Sequence, residues 1–269
     1  MRVLNICNLK GGVGKTVTAI NLAYALSELH GRRVLLIDND KQGNTSKFFG
    51  AHGYDKPSIA DLMTGKKSAA EVIRETAYER IHIIPANMAL LAANKAVLLD
   101  AMTAQQTRIK KALAPIAGSY DIAIIDNAPD ENMSVINALV AGDDVIIPVK
   151  VDKFTFDGVD EMLQCIRQVQ ENFNEHLSFL GCVITSYRGN EVNRQGAAYL
   201  ERFTKYRLMG TRIHWTAKID EATFTSLPIL LHSPRSWAAR DYRQLAEEYL
   251  AAIGGMGQPL SESDNERRG

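Results

Sequence analysis

Along the chain, short and mostly apolar runs alternate with longer stretches in which apolar residues recur every three or four positions. The short runs cover residues 3–7, 34–37, 81–85, 122–126, 145–149 and 180–185. Runs of that length and composition match strands buried on both faces, the condition of a parallel sheet covered by helices. The longer stretches predict helices over residues 19–29, within 58–79, and as one or two helices within 87–113. A last amphipathic helix over 236–253 places Trp237, Leu245, Tyr249, Leu250 and Ile253 on one face. The alternation predicts an α/β fold, a single domain over residues 1–253 with a mostly parallel, twisted sheet flanked by helices. Ligands of such sheets collect at the carboxyl ends of the strands. Residues 254–269, rich in glycine, serine and charge, read as a disordered tail.

Composition narrows the picture only a little. A chain of 269 residues with 46% hydrophobic content can bury one full α/β core. Its formal net charge is zero, so binding to nucleic acid has to come from a local patch and not from the field of the whole molecule. Cys7, Cys165 and Cys182 are widely spaced and form no metal-ligand pair, which fits a reducing cytoplasmic compartment. No apolar run is long enough to cross a bilayer and no signal peptide precedes the first strand, so a soluble protein is expected. Trp215 and Trp237 are read as core or interface residues rather than as ligand-stacking ones.

Candidate chemistry begins between the first apolar run and the first helical stretch, at Lys10-Gly11-Gly12-Val13-Gly14-Lys15-Thr16. A glycine-rich turn from strand to helix lets backbone N–H groups approach phosphate closely, which makes this stretch the P-loop of an NTPase. In that geometry Lys15 reaches the β- and γ-phosphates and the Thr16 hydroxyl ligates magnesium. Two further apolar runs end in carboxylates: Asp38 and Asp40 after residues 34–37, and Asp126 at the end of 122–126. A carboxylate at a strand end beside a P-loop either holds magnesium, commonly through water, or orients the attacking water. Val17 stands where P-loop proteins commonly carry a hydroxyl residue, so a side-chain contact to the α-phosphate is expected to be missing.

Leu9 takes the place of the first glycine of the usual loop and is followed by a second lysine, Lys10. With that early lysine the loop resembles the deviant Walker A group, the superfamily of ParA, MinD and the nitrogenase iron protein. The run Asp38-Asn39-Asp40-Lys41-Gln42-Gly43-Asn44 resembles the ParA signature, with Lys41 where the family commonly has proline. The run ending at Asp126 matches Walker B. Asn127-Ala128-Pro129-Asp130 resembles a second switch that departs from the common Thr-Pro-Pro-Ser. Likeness continues through residues 137–139 and 145–149 and, less specifically, through 219–242.

The resemblance implies roles. Lys10 crosses a dimer interface to the partner's nucleotide, Asp38 supports the hydration shell of Mg²⁺, and Asp40 positions the hydrolytic water. It implies ATP and Mg²⁺ as ligands, a nucleotide-sandwich homodimer, and nonspecific DNA binding that ends when a ParB-like activator protein stimulates hydrolysis. The implied localisation is cytoplasmic, on the nucleoid in the ATP state. Candidate DNA contacts are Arg212, Lys218, Arg235 and Arg240, although His214-Trp215 replaces the family's Pro-Arg. An iron–sulfur reductase or a cluster-assembly ATPase needs cysteines in other places. A MinD-like membrane cycler needs a basic, bulky C-terminal amphipathic helix. Residues 258–264 have no such character, so no membrane attachment is expected. The first strand almost at Met1 corresponds to the short ParA type, without a helix-turn-helix module. A membrane-surface ATPase and a protein-cargo positioning ATPase stay as the alternatives.

Overall fold

The computed structural model of the chain describes residues 1–152 and 155–255. Its sheet has strands β1 (Arg2–Ile6), β2 (Val34–Asn39), β3 (Arg74–Glu75), β4 (Ile81–Ile84), β5 (Ile122–Asn127), β6 (Asp144–Lys150), β7 (Ser178–Tyr187) and β8 (Leu208–His214). Their spatial order is β3-β4-β2-β5-β1-β6-β7-β8. Every neighbouring pair is parallel except β3 with β4 at the edge. The α/β class with a mostly parallel sheet is therefore the observed one. Strand β8 has no counterpart among the expected strands: it alternates buried Met209, Thr211 and Ile213 with more exposed residues, the pattern of a strand near a sheet edge.

Helices on the first half of the chain are α1 (Lys15–Glu28), α2 (Asn44–Phe48), α3 (Ile59–Met63), α4 (Ala69–Val72), α5 (Ala89–Leu99), α6 (Arg108–Leu113) and α7 (Met133–Ala141). They are followed by α8 (Thr155–Asn172), α9 (Glu191–Arg202), α10 (Ala217–Phe224), α11 (Ile229–His232) and α12 (Trp237–Gly255). The expected helical stretch within 58–79 is a correction: it breaks into α3, α4 and β3. Ser58 and Ser68 each form a capping box with an acidic residue three positions on, and each box starts a separate short helix.

Side chains alternate across the sheet with the strand period of two. Leu4, Ile6, Val34, Leu36, Ile122 and Ile124 pack with α1 and α12 on one side. Val3, Leu35, Ile37, Ala123 and Ile125 pack with α3, α5, α6 and α7 on the other. Both faces are covered, so the strands carry unbroken apolar runs. Helix α12 ends at Gly255, two residues beyond the expected boundary, and the remainder of the expected disordered tail lies outside the described residues.

In α12 the buried face is Ala238, Ala239, Tyr242, Leu245, Ala246 and Tyr249. Trp237 stands off that face at 65% exposure and Trp215 is 48% exposed, so neither is a core residue. All three cysteines are buried free thiols. Cys182 lies on β7, Cys7 directly follows β1 and Cys165 is on α8.

Candidate nucleotide site

The loop between β1 and α1 crosses the carboxyl edge of the sheet beside β5 and β6. Gly12 and Gly14 have φ of 71° and 87°, a backbone region in which an L side chain is strained. Gly14 caps α1 with no side-chain acceptor, which leaves the first N–H groups of the helix directed at whatever occupies the loop. The ammonium of Lys15, 7% exposed, donates to the carbonyl oxygens of Asn8 and Lys10 at 2.9 Å each. Burial lowers its pKa, and the nearby charge of Asp126 opposes that shift. Asn8 accepts from the Lys10 N–H at 2.9 Å and donates to the Pro148 carbonyl at 2.8 Å. The Thr185 hydroxyl donates to the Val13 carbonyl at 2.8 Å. The loop is thereby tied to β6 and to the end of β7. Lys10 is ion-paired with Asp152, just past β6 of the same chain.

Strands β2 and β5 are neighbours in a register that sets Asp38 opposite Asp126 and Asn39 opposite Asn127. Both carboxylates are buried. One oxygen of Asp126 accepts from Thr16 Oγ1 at 2.8 Å and from Thr45 Oγ1 at 2.7 Å. Its other oxygen is buried without a hydrogen-bond partner among the described residues. Asp38 accepts from the Ser46 N–H at 2.7 Å, from Ser46 Oγ at 2.6 Å and from the Asp40 N–H at 3.1 Å. Burial raises the pKa of both groups, and for Asp38 the Asp126 charge adds to the rise.

An unpartnered buried carboxylate oxygen beside a threonine hydroxyl fits a hard cation that takes oxygen ligands. Among the described residues no three His, Cys, Asp or Glu side chains cluster as a metal site. A cation here would complete its shell with water and phosphate oxygens, the habit of magnesium.

Asp40 is half-buried, accepts from the Gln42 N–H at 2.9 Å, and borders a cavity with Lys41, Leu91, Pro129 and Asp130. The two switch segments thus face each other across one hollow. Asn127 does not line it. Its side chain lies in a buried ladder, accepting from Asn39 at 2.8 Å and donating to Asn5 at 3.1 Å. Thr45, Ser46, Asn39 and Asn5 escaped the sequence reading; the only signal for the first two was the run of small hydroxyl residues directly after Asn44.

The four candidate DNA cations lie on β8 (Arg212), on α10 (Lys218), in the segment leading into α12 (Arg235) and in the first turn of α12 (Arg240). Arg212 pairs with Glu201 at 2.7 Å and Lys218 with Glu221 at 2.7 Å. Arg235 is exposed and has no ion pair among the described residues, and Arg240 lies 5.3 Å from the centre of the Trp237 ring. No helix among the described residues is long and apolar enough to cross a membrane.

A family model described as an AAA domain matches residues 1–179. The sporulation initiation inhibitor protein Soj of Bacillus subtilis is 33% identical, over 93% of this chain and 98% of its own length. The chromosome partitioning protein ParA of Caulobacter vibrioides is 31% identical, over 93% of this chain and 94% of its own. Among solved structures, cobyrinic acid a,c-diamide synthase from Mycobacterium smegmatis, with a bound ATP analog and magnesium, has a TM-score of 0.80. It is 30% identical over 92% of this chain and 93% of that one. McdA of Cyanothece shares the fold with a TM-score of 0.83 at 22% identity, covering 97% of this chain and 99% of its own.

Proposed function

The chain belongs to the ParA family of partition ATPases, and from that membership we propose a magnesium-dependent ATPase that dimerises and binds DNA without sequence preference in its ATP state. A ParB-like partner stimulates hydrolysis and ends the attachment. Nucleotide state is in this reading a timer for DNA segregation in the cytoplasm. The observation that carries it is the half-satisfied Asp126 carboxylate, which shares one oxygen between Thr16 and Thr45 and keeps the other without a hydrogen-bond partner among the described residues. A buried acceptor left open in that way is matched by a hydrated cation.

The residues divide the work by position. Backbone N–H groups of residues 11–17 and the Lys15 ammonium bind the phosphates, and the cost of burying Lys15 is offset when anionic oxygens replace its two carbonyl partners. Thr16, Asp38 and Asp126 would hold magnesium, which when bound neutralises charge growing on the β- and γ-phosphate oxygens. Asp40 orients the attacking water, and its carboxylate accepts the proton in this proposal. Lys10, freed from Asp152 and donated across the dimer, adds positive charge at the transferring phosphoryl group. Arg235 and Arg240, with Lys218 and Arg212 after they exchange their carboxylate partners, neutralise DNA phosphates.

The test is binding to a random-sequence DNA duplex with no nucleotide, with ADP and with ATP, using Asp40→Ala to hold the ATP state. Binding only with ATP, lost at high salt, is the expected result. Equal binding, or none, in all three states would overturn the DNA attachment and favour a membrane or protein cargo.

A further inference from the structure

Between α3, α4 and α6, on the side of the sheet away from α12, lies a groove that the phosphate site does not use. It holds about 490 Å³, within the roughly 300–1,000 Å³ typical of small-molecule sites. Leu62 and Ala69, both buried, and the half-buried Ile116 give it an apolar wall. Lys67, Arg108 and Lys111 line it as well, and among the described residues no aspartate or glutamate does. Three positive charges thus stand together in a chain whose 31 basic and 31 acidic residues balance. The walls are fixed by bonds of their own. Asn137, buried on α7, accepts from the Arg108 N–H at 2.7 Å and donates to the Gln105 carbonyl at 2.7 Å, which holds the start of α6. The Ser68 N–H and hydroxyl each donate to Glu71 at 2.8 Å, which holds α4. A groove with walls set in advance loses less binding energy to ordering them.

The three cations differ in what already engages them. Arg108 is held by Asp100 and Thr103. Lys67 has an exposed pair with one oxygen of Glu71 at 3.5 Å, while the other oxygen of that carboxylate is taken by Ser68. Lys111, exposed on the last turn of α6, has no ion pair among the described residues. We propose that the groove binds a small amphipathic carboxylate, with its alkyl chain on Leu62, Ala69 and Ile116 and its carboxylate at Lys111, joined by Lys67. Burial of the chain strengthens binding by about a factor of four for each CH₂. The carboxylate stays at the exposed rim, where it keeps part of its water and meets the ammonium groups, so no charge is buried unpaired. This inference stands on the groove alone and is independent of the nucleotide reading.

The full-length protein is titrated by calorimetry with decanoate, octanoate and, as the uncharged counterpart, octanol. Saturable decanoate binding is expected, with octanoate about tenfold weaker for its two missing CH₂ groups. Lys111→Gln weakens both carboxylates by about three- to fivefold, the reach of an exposed charge pair, and leaves octanol within about twofold. Adding Lys67→Gln weakens the carboxylates further. Ala104→Trp and, separately, Ala70→Trp bring an indole into the groove from exposed positions that line it, and each should abolish binding of all three ligands. Thermal melts matching wild type identify the folded variant, and either one alone suffices. Absent decanoate binding, equal affinity for the two chain lengths, an equal effect of Lys111→Gln on octanol, or unchanged binding in a folded tryptophan variant would overturn the site. Protein that ignores free decanoate but sediments with anionic phospholipid vesicles would overturn it in favour of a membrane surface.

Discussion

Lys10 and Asp152 form an ion pair within one chain, joining the start of the phosphate loop to the end of β6 across 142 positions of sequence. In the proposed dimer the same ammonium serves the partner's nucleotide, so the pair has to open on assembly. Partly exposed ion pairs are worth up to about 1 kcal/mol, a factor of roughly two to five in an equilibrium. Asp152→Asn is therefore expected to lower the concentration for half-maximal ATP-dependent dimerisation by about two- to fivefold in sedimentation velocity. No shift would mean that the pair does not compete with assembly.

Asp38 and Asp126 make the stability of the nucleotide-free protein depend on pH. Burial raises both carboxyls above their ordinary range, Asp38 to about 7. Between the unfolded value near ~4 and the folded one, the native state binds more protons than the unfolded state, so stability falls as pH rises through that window. Urea unfolding of the nucleotide-free protein should show a midpoint that drops between about pH 4 and 7. Asp126→Asn should flatten the slope, and Mg-ATP should flatten it in the wild type. A midpoint that rises over that range would contradict the assignment. Asp126→Asn should also lower magnesium-dependent turnover by about 100-fold, of the order lost when one electrostatic contact to developing charge is removed.

Ser46 joins the buried Asp38 carboxylate to the rest of the domain. Its hydroxyl donates to Asp38 at 2.6 Å and accepts from the Ala86 N–H at 2.8 Å. Ser46→Ala leaves a buried N–H unpaired and one fewer donor on a buried carboxylate, an expected loss of about 1–3 kcal/mol. Denaturant melts would register it, while tripolyphosphate binding, which depends on the loop, should be nearly unchanged.

Among the DNA candidates the ion pairs predict a ranking. Arg235, exposed and without an ion pair among the described residues, is available to phosphate at no cost, whereas Lys218 must first leave Glu221. Arg235→Ala should lower the slope of log affinity against log salt by about 1 in the ATP state. Glu221→Gln should strengthen DNA binding by releasing Lys218. If Arg235→Ala left the slope unchanged, that arginine would not touch DNA.

The phosphate loop, the carboxylates at the strand ends and the parallel sheet were all legible in the sequence because each is written locally. A glycine-rich turn between a strand and a helix, and an apolar run ending in aspartate, carry their meaning within a few residues. Helical spacing within 58–79 misled for the same local reason, since two capping boxes outweighed the periodicity. Strand β8, half-exposed near the edge, lacked the unbroken apolar run by which the buried strands announce themselves.

What the chain determined by itself was therefore the order of the buried strands and the identity of the groups proposed for phosphate and cation. Tertiary structure decided which of those groups meet. The register of β2 against β5 set Asp38 beside Asp126, and the turn after Gly43 brought Thr45 and Ser46 back onto those carboxylates. The approach of the β7 and β8 ends to the loop put Trp215, expected in the core or at an interface, at the wall of a cavity beside Gly14. These meetings depend on strand pairing between segments distant in sequence, and side-chain periodicity reports which face a residue takes but not which residue stands opposite it.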